Sequence, residues 1–180
     1  MNRKFSLCRG LHGARNASQS NGFTLMELLI VIAIILILML MAIPTIGSLK
    51  KKANETSAIN SVQVISKAEL QYESTYPMNG YSCTLQALGG DPNSGAAPSA
   101  ASSQILQGDL SGGYKSGYIF TINNCSKVTI NSVDRYTGYK ITAVPQTVHT
   151  TGDRGFCSDQ FGAITFDPAG GTNCTQPLSQ

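Results

Sequence analysis

Sixteen consecutive apolar residues, Leu28 to Ile43, constrain what this chain can fold into more than any other feature. As a helix the run is about 24 Å long. With Phe23 to Glu27 before it and the turn through Ile46 after it, the helix reaches about 36 Å, enough to cross a hydrocarbon core of about 30 Å with some tilt. Leu, Ile and Met occupy every side, so no polar face turns toward water, and the pattern predicts a membrane span rather than an amphipathic core helix. A buried helix of a large soluble protein does not fit, because the remaining chain is too short and too polar to wrap it.

The flanks orient the span. Residues 1–22 contain Arg3, Lys4, Arg9 and Arg15 and no acid, which by the positive-inside tendency keeps the N-terminus cytoplasmic and the C-terminal bulk outside. A secretory signal peptide would be cut after its apolar region at a small-x-small triplet. Here Ala42 and Gly47 flank Pro44 and Ile46 poorly for that, whereas Gly22 stands before the run. Cleavage after Gly22 would retain the helix and free an amino group on Phe23, four residues from Glu27. A carboxylate inside a span costs about 2.5–3.5 kcal/mol, so Glu27 calls for a partner or a function. The Phe23 amine of a neighbouring copy is the simplest cation at that depth. The alternative is that Glu27 snorkels to the headgroups, favoured by its place near the helix start.

The run Gly22, Phe23, Thr24, Leu25, Met26, Glu27, Leu28, Leu29, Ile30, Val31, Ile32 and Ala33 resembles the N-terminal cleavage and methylation motif of type IV pilins and the related pseudopilins of type II secretion systems. The resemblance implies that a prepilin peptidase cuts after Gly22 and methylates Phe23. It implies that Glu27 neutralises the N-terminal amine of the adjacent subunit during assembly, and that Pro44 is the helix-kinking proline. The specific match covers about Gly22 to Lys52, and the rest agrees in layout. The partners implied are identical or homologous pilin subunits in a helical polymer, the prepilin peptidase, the inner-membrane assembly machinery, and the membrane itself before assembly. The expected location is the bacterial inner membrane, single-pass, and then an extracellular filament.

The formal charge of +3 conceals an asymmetry. Removing the four leader cations leaves nine Lys or Arg against ten Asp or Glu in the 158 residues from Phe23 onward, which is nearly neutral. Such a surface has no electrostatic footprint for nucleic acid, which is not expected as a partner. Cys8 lies in the leader. Cys83, Cys125, Cys157 and Cys174 follow it, an even number on the oxidising side of the membrane, and they predict two disulfides. Three connectivities stay open. The preferred one pairs Cys83 with Cys125 and Cys157 with Cys174, the latter stapling the C-terminal tail back onto a strand.

Five segments are expected: a leader over 1–22, the membrane and assembly half of a long helix over 23–47, its amphipathic half over 48–77, a Gly/Ser/Ala-rich surface loop over 78–113, and an antiparallel sheet with a disulfide-stapled C-terminal region over 114–180. Ala58, Val62, Ile65, Ala68 or Glu69, Tyr72 and Tyr76 recur three or four apart and predict the inward face of the second half. Glu55, Asn60, Gln63, Lys67 and Glu73 are free to face elsewhere, and Pro77 ends the helix. Strands are expected at 114–123, 127–133, 139–144, 154–158 and 163–167, with a hairpin turn at 159–162. The fold class is α+β: a long kinked N-terminal helix on a small antiparallel sheet.

No catalytic constellation is legible. His149 is the one histidine after the leader, beside Thr147 and Thr150 rather than a carboxylate network, so a hydrolase triad lacks support. Tyr114, Tyr118, Tyr136 and Tyr139 with Lys115, Arg135 and Lys140 suit cross-strand pairs better than base stacking. No cofactor or metal is expected. Asp153, Asp159 and Asp167 are the calcium candidates, but the tail from Gly170 to Gln180 has no Asp or Glu, unlike the acidic calcium loop of major pseudopilins. The reading is a non-enzymatic pilus subunit. The alternatives are a type II secretion pseudopilin, a DNA-uptake minor pilin, and a membrane-anchored binding or enzyme domain that never polymerises.

Overall fold

The computed structural model describes residues 22–178, apart from the side chains of residues 41–45. One helix and six strands carry the architecture, which is α+β. Helix α1 spans Leu25–Thr75. The described residues divide into two compact units, one ending at Met41 and the other beginning at Ala42. In the first, the described side chains of α1 all face solvent. In the second, α1 packs on the sheet through Ala58, Val62, Ile65, Ala68 and Tyr72. The three- and four-residue spacing puts them on one helix face, and Pro77 ends the pattern because a residue before proline leaves the helical region.

The sheet is an antiparallel meander in sequence order: β1 Tyr114–Lys115, β2 Tyr118–Ile130, β3 Val133–Pro145, β4 Gly155–Asp159, β5 Ile164–Asp167 and β6 Gln176–Pro177. Its helix-facing side contributes Tyr118, Phe120, Tyr139, Ile141, Ala143 and Phe156 to the core. Two strand boundaries depart from expectation because of turn chemistry. Lys115 opposes Tyr118 across Ser116 and Gly117, both at positive φ, so a two-residue turn splits the expected strand 114–123. Likewise Ile130 opposes Val133 across Asn131 and Ser132, at φ 51° and 65°. Paired positive φ values match the twist of a two-residue hairpin. Val133 therefore opens β3 instead of closing the expected strand 127–133.

The segment 78–113 is more than a surface loop. Its longest exposed run is 91–99. Leu88, at the end of the short helix α2 (Leu85–Leu88), joins Leu106 and Leu110 in the core. The Leu106 N–H donates to the Leu88 carbonyl at 2.7 Å, and Tyr72 donates its hydroxyl to the Ala100 carbonyl at 2.7 Å. Three leucines scattered through Gly, Ser and Ala show no period, yet each buries enough apolar surface to hold the segment down.

Two carboxylates lie in the packed face of α1. Glu55, expected to face elsewhere, is buried. Glu69 is 0% exposed and accepts from the Ser82 N–H and hydroxyl, both at 2.7 Å. Burial pushes its carboxyl up, against the bonds from Ser82 and Cys83 that favour the anion. The same burial, with the Glu69 charge nearby, pushes the Tyr139 hydroxyl up to about 12. Cys83 is bonded to Cys125 and Cys157 to Cys174. The first ties the segment before α2 to β2, and the second ties the tail to β4.

The bridges close loops of 42 and 17 residues. On chain entropy, replacing both cysteines of a pair by alanine should cost about 4 kcal/mol for Cys83–Cys125 and about 3 kcal/mol for Cys157–Cys174. Urea unfolding in detergent reads both losses. Glu69 has a raised folded-state value, so its contribution is fullest below the ordinary carboxyl value of 4.5 and is lost as pH rises through the folded value. Glu69→Gln should therefore gain thermal stability relative to the unaltered chain as pH is raised from 4.5; a gain on acidification would contradict the assignment.

Candidate functional site

Gly22 and Phe23, at the expected cleavage point, stand ahead of α1, and Phe23 is 88% exposed. The leader through residue 21 lies outside the described residues. The helix start is built by Thr24 and Glu27. The Thr24 N–H and hydroxyl both donate to Glu27 Oε2 at 2.9 Å, and the Glu27 N–H donates to the Thr24 hydroxyl at 3.2 Å. That is a reciprocal capping box, in which each side chain satisfies a backbone donor the first turn would otherwise leave open. Thr24 was missed as a site residue on sequence, although the Thr-x-x-Glu spacing before an apolar run is its signature. The box holds the Glu27 carboxylate in the first turn of the helix, four residues after Phe23.

Beyond Glu27 the apolar side chains from Leu28 to Leu40 are 44–75% exposed, with no cover from their own chain. Pro44, expected to kink the helix, is among residues 41–45, whose side chains lie outside the described residues. Among the described residues no helix is long and apolar enough to cross a membrane. The described side chains from Leu28 to Leu40 cover about 20 Å of helix.

A second cluster sits where α1 begins to pack on the sheet. Glu55 accepts from the Asp153 N–H at 2.9 Å, from the Arg154 N–H at 3.2 Å, and from Arg154 Nε and Nη2 at 2.9 and 2.7 Å. The guanidinium carbon also lies 5.4 Å from the Phe156 ring centroid and 5.2 Å from that of Phe166. Four bonds compensate the burial of Glu55, and this explains why the carboxylate turns inward. Asp153 meets Lys51 Nζ at 2.9 Å and His149 Nδ1 at 3.0 Å. Hydrogen bonds from Lys51 and from His149 hold its carboxyl below the usual range, Lys51 contributing most. His149 therefore does face a carboxylate, contrary to the expectation from its neighbours in sequence.

The structure does not bring the three calcium candidates together. Asp153 is engaged as above, Asp159 accepts from the Phe161 N–H at 3.0 Å, and Asp167 accepts from the N–H groups of Ala169 and Asn173 at 2.9 and 3.0 Å. Asp159 and Asp167 stand at opposite ends of the β4–β5 hairpin, opposite Lys140 and Gly155 respectively. Among the described residues no three His, Cys, Asp or Glu side chains are grouped to hold a metal. Of the tyrosines proposed for stacking, Tyr118 and Tyr139 are core residues, and the Tyr118 hydroxyl donates to the Arg154 carbonyl at 2.8 Å.

Removing the guanidinium tests the Glu55 clamp. Arg154→Met should destabilise the second unit by about 2–3 kcal/mol in urea unfolding, somewhat below the full cost of stranding a buried charge because Arg154 is itself partly exposed. Arg154→Lys should recover only part of the loss, since lysine has neither the bidentate fork nor the planar face that lies against Phe156 and Phe166.

No curated protein and no solved structure matches the chain. The family model for the prokaryotic N-terminal methylation motif matches residues 17–43. Those residues enclose Gly22, Phe23, the Thr24–Glu27 cap and the uncovered apolar surface of α1. The chain thus carries, at the start of its long helix, the hallmark of the type IV pilin and pseudopilin prepilins: membrane-anchored subunits that assemble with their own kind.

Proposed function

We propose that this chain is a structural, non-enzymatic subunit of a type IV pilus. A prepilin peptidase cuts after Gly22 and methylates the Phe23 amine. The apolar half of α1 holds the subunit in the inner membrane, with the domain from Lys50 onward outside the cytoplasm. Assembly machinery then transfers it into a helical polymer of identical or homologous subunits. The observation that carries this reading is the Thr24–Glu27 cap, which keeps a carboxylate at the exposed head of an apolar helix, four residues after the residue that becomes the new N-terminus.

The mechanism divides between packing and charge. Lipid is as apolar as leucine, so leaving the bilayer yields little hydrophobic gain, and packing between helices must select the arrangement. An ion pair between Glu27 and the Phe23 amine of a neighbour adds register. Out of contact with water, neither charge is stable unless the other is present, so only one axial offset satisfies both. Two observations favour a pilus over a secretion pseudopilus: the C-terminal region is stapled by Cys157–Cys174, and Asp153, Asp159 and Asp167 are spent separately on a salt-bridge cluster and two turns.

Two measurements test the reading. Glu27→Ala should leave insertion and cleavage intact while cutting the yield of sheared filaments by about tenfold or more, the equivalent of about 1.4 kcal/mol or greater per subunit contact. A wild-type yield would end the register argument. Intact, non-reduced mass spectrometry of sheared filaments should give Phe23–Gln180 plus one methyl and minus four hydrogens. Processed chain found only in membranes would favour the pseudopilin, and full-length chain alone would favour an anchored domain that does not polymerise.

A further inference from the structure

The β2–β3 hairpin is longer than the sheet that holds it. Strand β4 pairs with β3 only from Lys140 to Ala143, and β1 pairs with β2 only at Tyr118 and Ile119. From Lys127 to Arg135 the two strands run on as a ribbon. Its root is firmly tied. Cys125 is bonded to Cys83, the Tyr136 N–H donates to the Asn79 carbonyl at 2.8 Å, and Arg135 meets Glu73 at 3.1 Å.

The two faces of the ribbon differ in chemistry. Cross-strand partners share a face, and so do residues two apart along a strand. One face is polar: Lys127 and Thr129 both donate to the Asp134 carboxylate at 2.6 Å. The other carries Val128, Ile130 and Val133, together with Arg135, which reaches Glu73 on α1. That is the side of the sheet on which α1 lies. The helix ends at Thr75, but the ribbon continues past it, and Pro77, Met78, Ile130 and Val133 line an open depression of about 160 Å³. Met78, Val128, Ile130 and Val133 are all exposed. An uncovered apolar face on a two-stranded ribbon gains nothing in water and marks an interaction surface.

We propose that this overhang is a docking shelf for α1 of a second copy of the chain, and that the docked part is the apolar stretch from Leu28 to Leu40. The shelf continues the sheet face that already covers a helix in its own chain. The Arg135 guanidinium on this face is paired with Glu73, so its charge does not stand against an apolar occupant. The chain itself supplies such an occupant, a helix surface apolar on every side and uncovered from Leu28 to Leu40. The two surfaces lie in different parts of the chain, so the contact is heterologous and propagates instead of closing into a dimer, as a filament requires. The proposal rests on the reading of this chain as a polymerising subunit and goes beyond it by naming the surface that receives the neighbour.

The test uses full-length chains in cells that assemble them. Val133→Lys puts a charge on the shelf, and Thr129→Lys puts the same charge on the opposite, polar face. The first should lower sheared-filament yield about tenfold or more, with processed and fully oxidised chain accumulating in the membrane; the second should stay within about twofold of the unaltered chain. In a second experiment, differently tagged chains carry Ile130→Cys on one copy and a cysteine at Leu29, Ile32, Leu36 or Met39 on the other. A bismaleimide applied to intact filaments should join unlike copies from at least one of these positions. Wild-type filament yield from Val133→Lys, intact filaments with no such cross-link, or cross-links only between two Ile130→Cys copies would overturn the shelf while leaving the pilus reading standing. Absence of filaments from the unaltered chain would overturn the polymer reading and the shelf with it.

Discussion

Helix α1 can bury only part of its length within its own chain, and the rest of the structure follows from that limit. The sheet offers an apolar face to about five turns of helix, from Glu55 to Tyr72. It offers nothing to the side chains from Leu28 to Leu40, which are apolar on every side and exposed. Leaving that much hydrocarbon in water is unfavourable by about 25 cal/mol per Å². The surface therefore calls for cover that its own chain does not supply, and the prokaryotic N-terminal methylation motif spans it across residues 17–43.

Within the second unit, the packed half of α1 is pinned at each end by a buried carboxylate. Glu55 gathers the backbone and guanidinium of the Asp153–Arg154 segment, and Glu69 gathers Ser82 just after the helix end. Apolar packing alone would tolerate a slide or a roll of the helix over the sheet. A buried charge tolerates neither, because losing its donors costs far more than shifting a methyl group. The two disulfides act on the same scale, closing the segment before α2 onto β2 and the tail onto β4. A domain held so tightly can carry a ribbon past the end of its helix without losing the ribbon's position.

Much of this was legible in the residues. The inward positions Ala58, Val62, Ile65, Ala68 and Tyr72 follow a helical period and are buried, whereas Tyr76, expected beside them, is half-buried just past the helix end. The antiparallel α+β architecture followed from short alternating strands after one long helix. Two-residue turns inside apolar stretches were harder. Asn131–Ser132 and Ser116–Gly117 both turn the chain at positive φ inside segments expected as continuous strand, so β3 was placed several residues late. The burial of Glu55 was invisible because the donors that compensate it lie about a hundred residues away. Thr24 was readable, because a Thr-x-x-Glu spacing ahead of an apolar run is the signature of a capping box.

Sequence by itself determined the features that depend on local order along the chain: the apolar run, the acid at its head, the basic leader, the helical period after Lys52, and the even number of cysteines beyond the leader. Tertiary structure decided what depends on groups meeting across the fold. It pairs Cys83 with Cys125 and Cys157 with Cys174, turns Glu55 and Glu69 inward, spends Asp153, Asp159 and Asp167 in separate places, and carries the β2–β3 ribbon beyond Thr75. The physical reason is the range of the interactions. Hydrophobic periodicity and capping act within a few residues and are written in sequence spacing. The environment of a buried charge or a strand face is set by whichever distant segment packs against it.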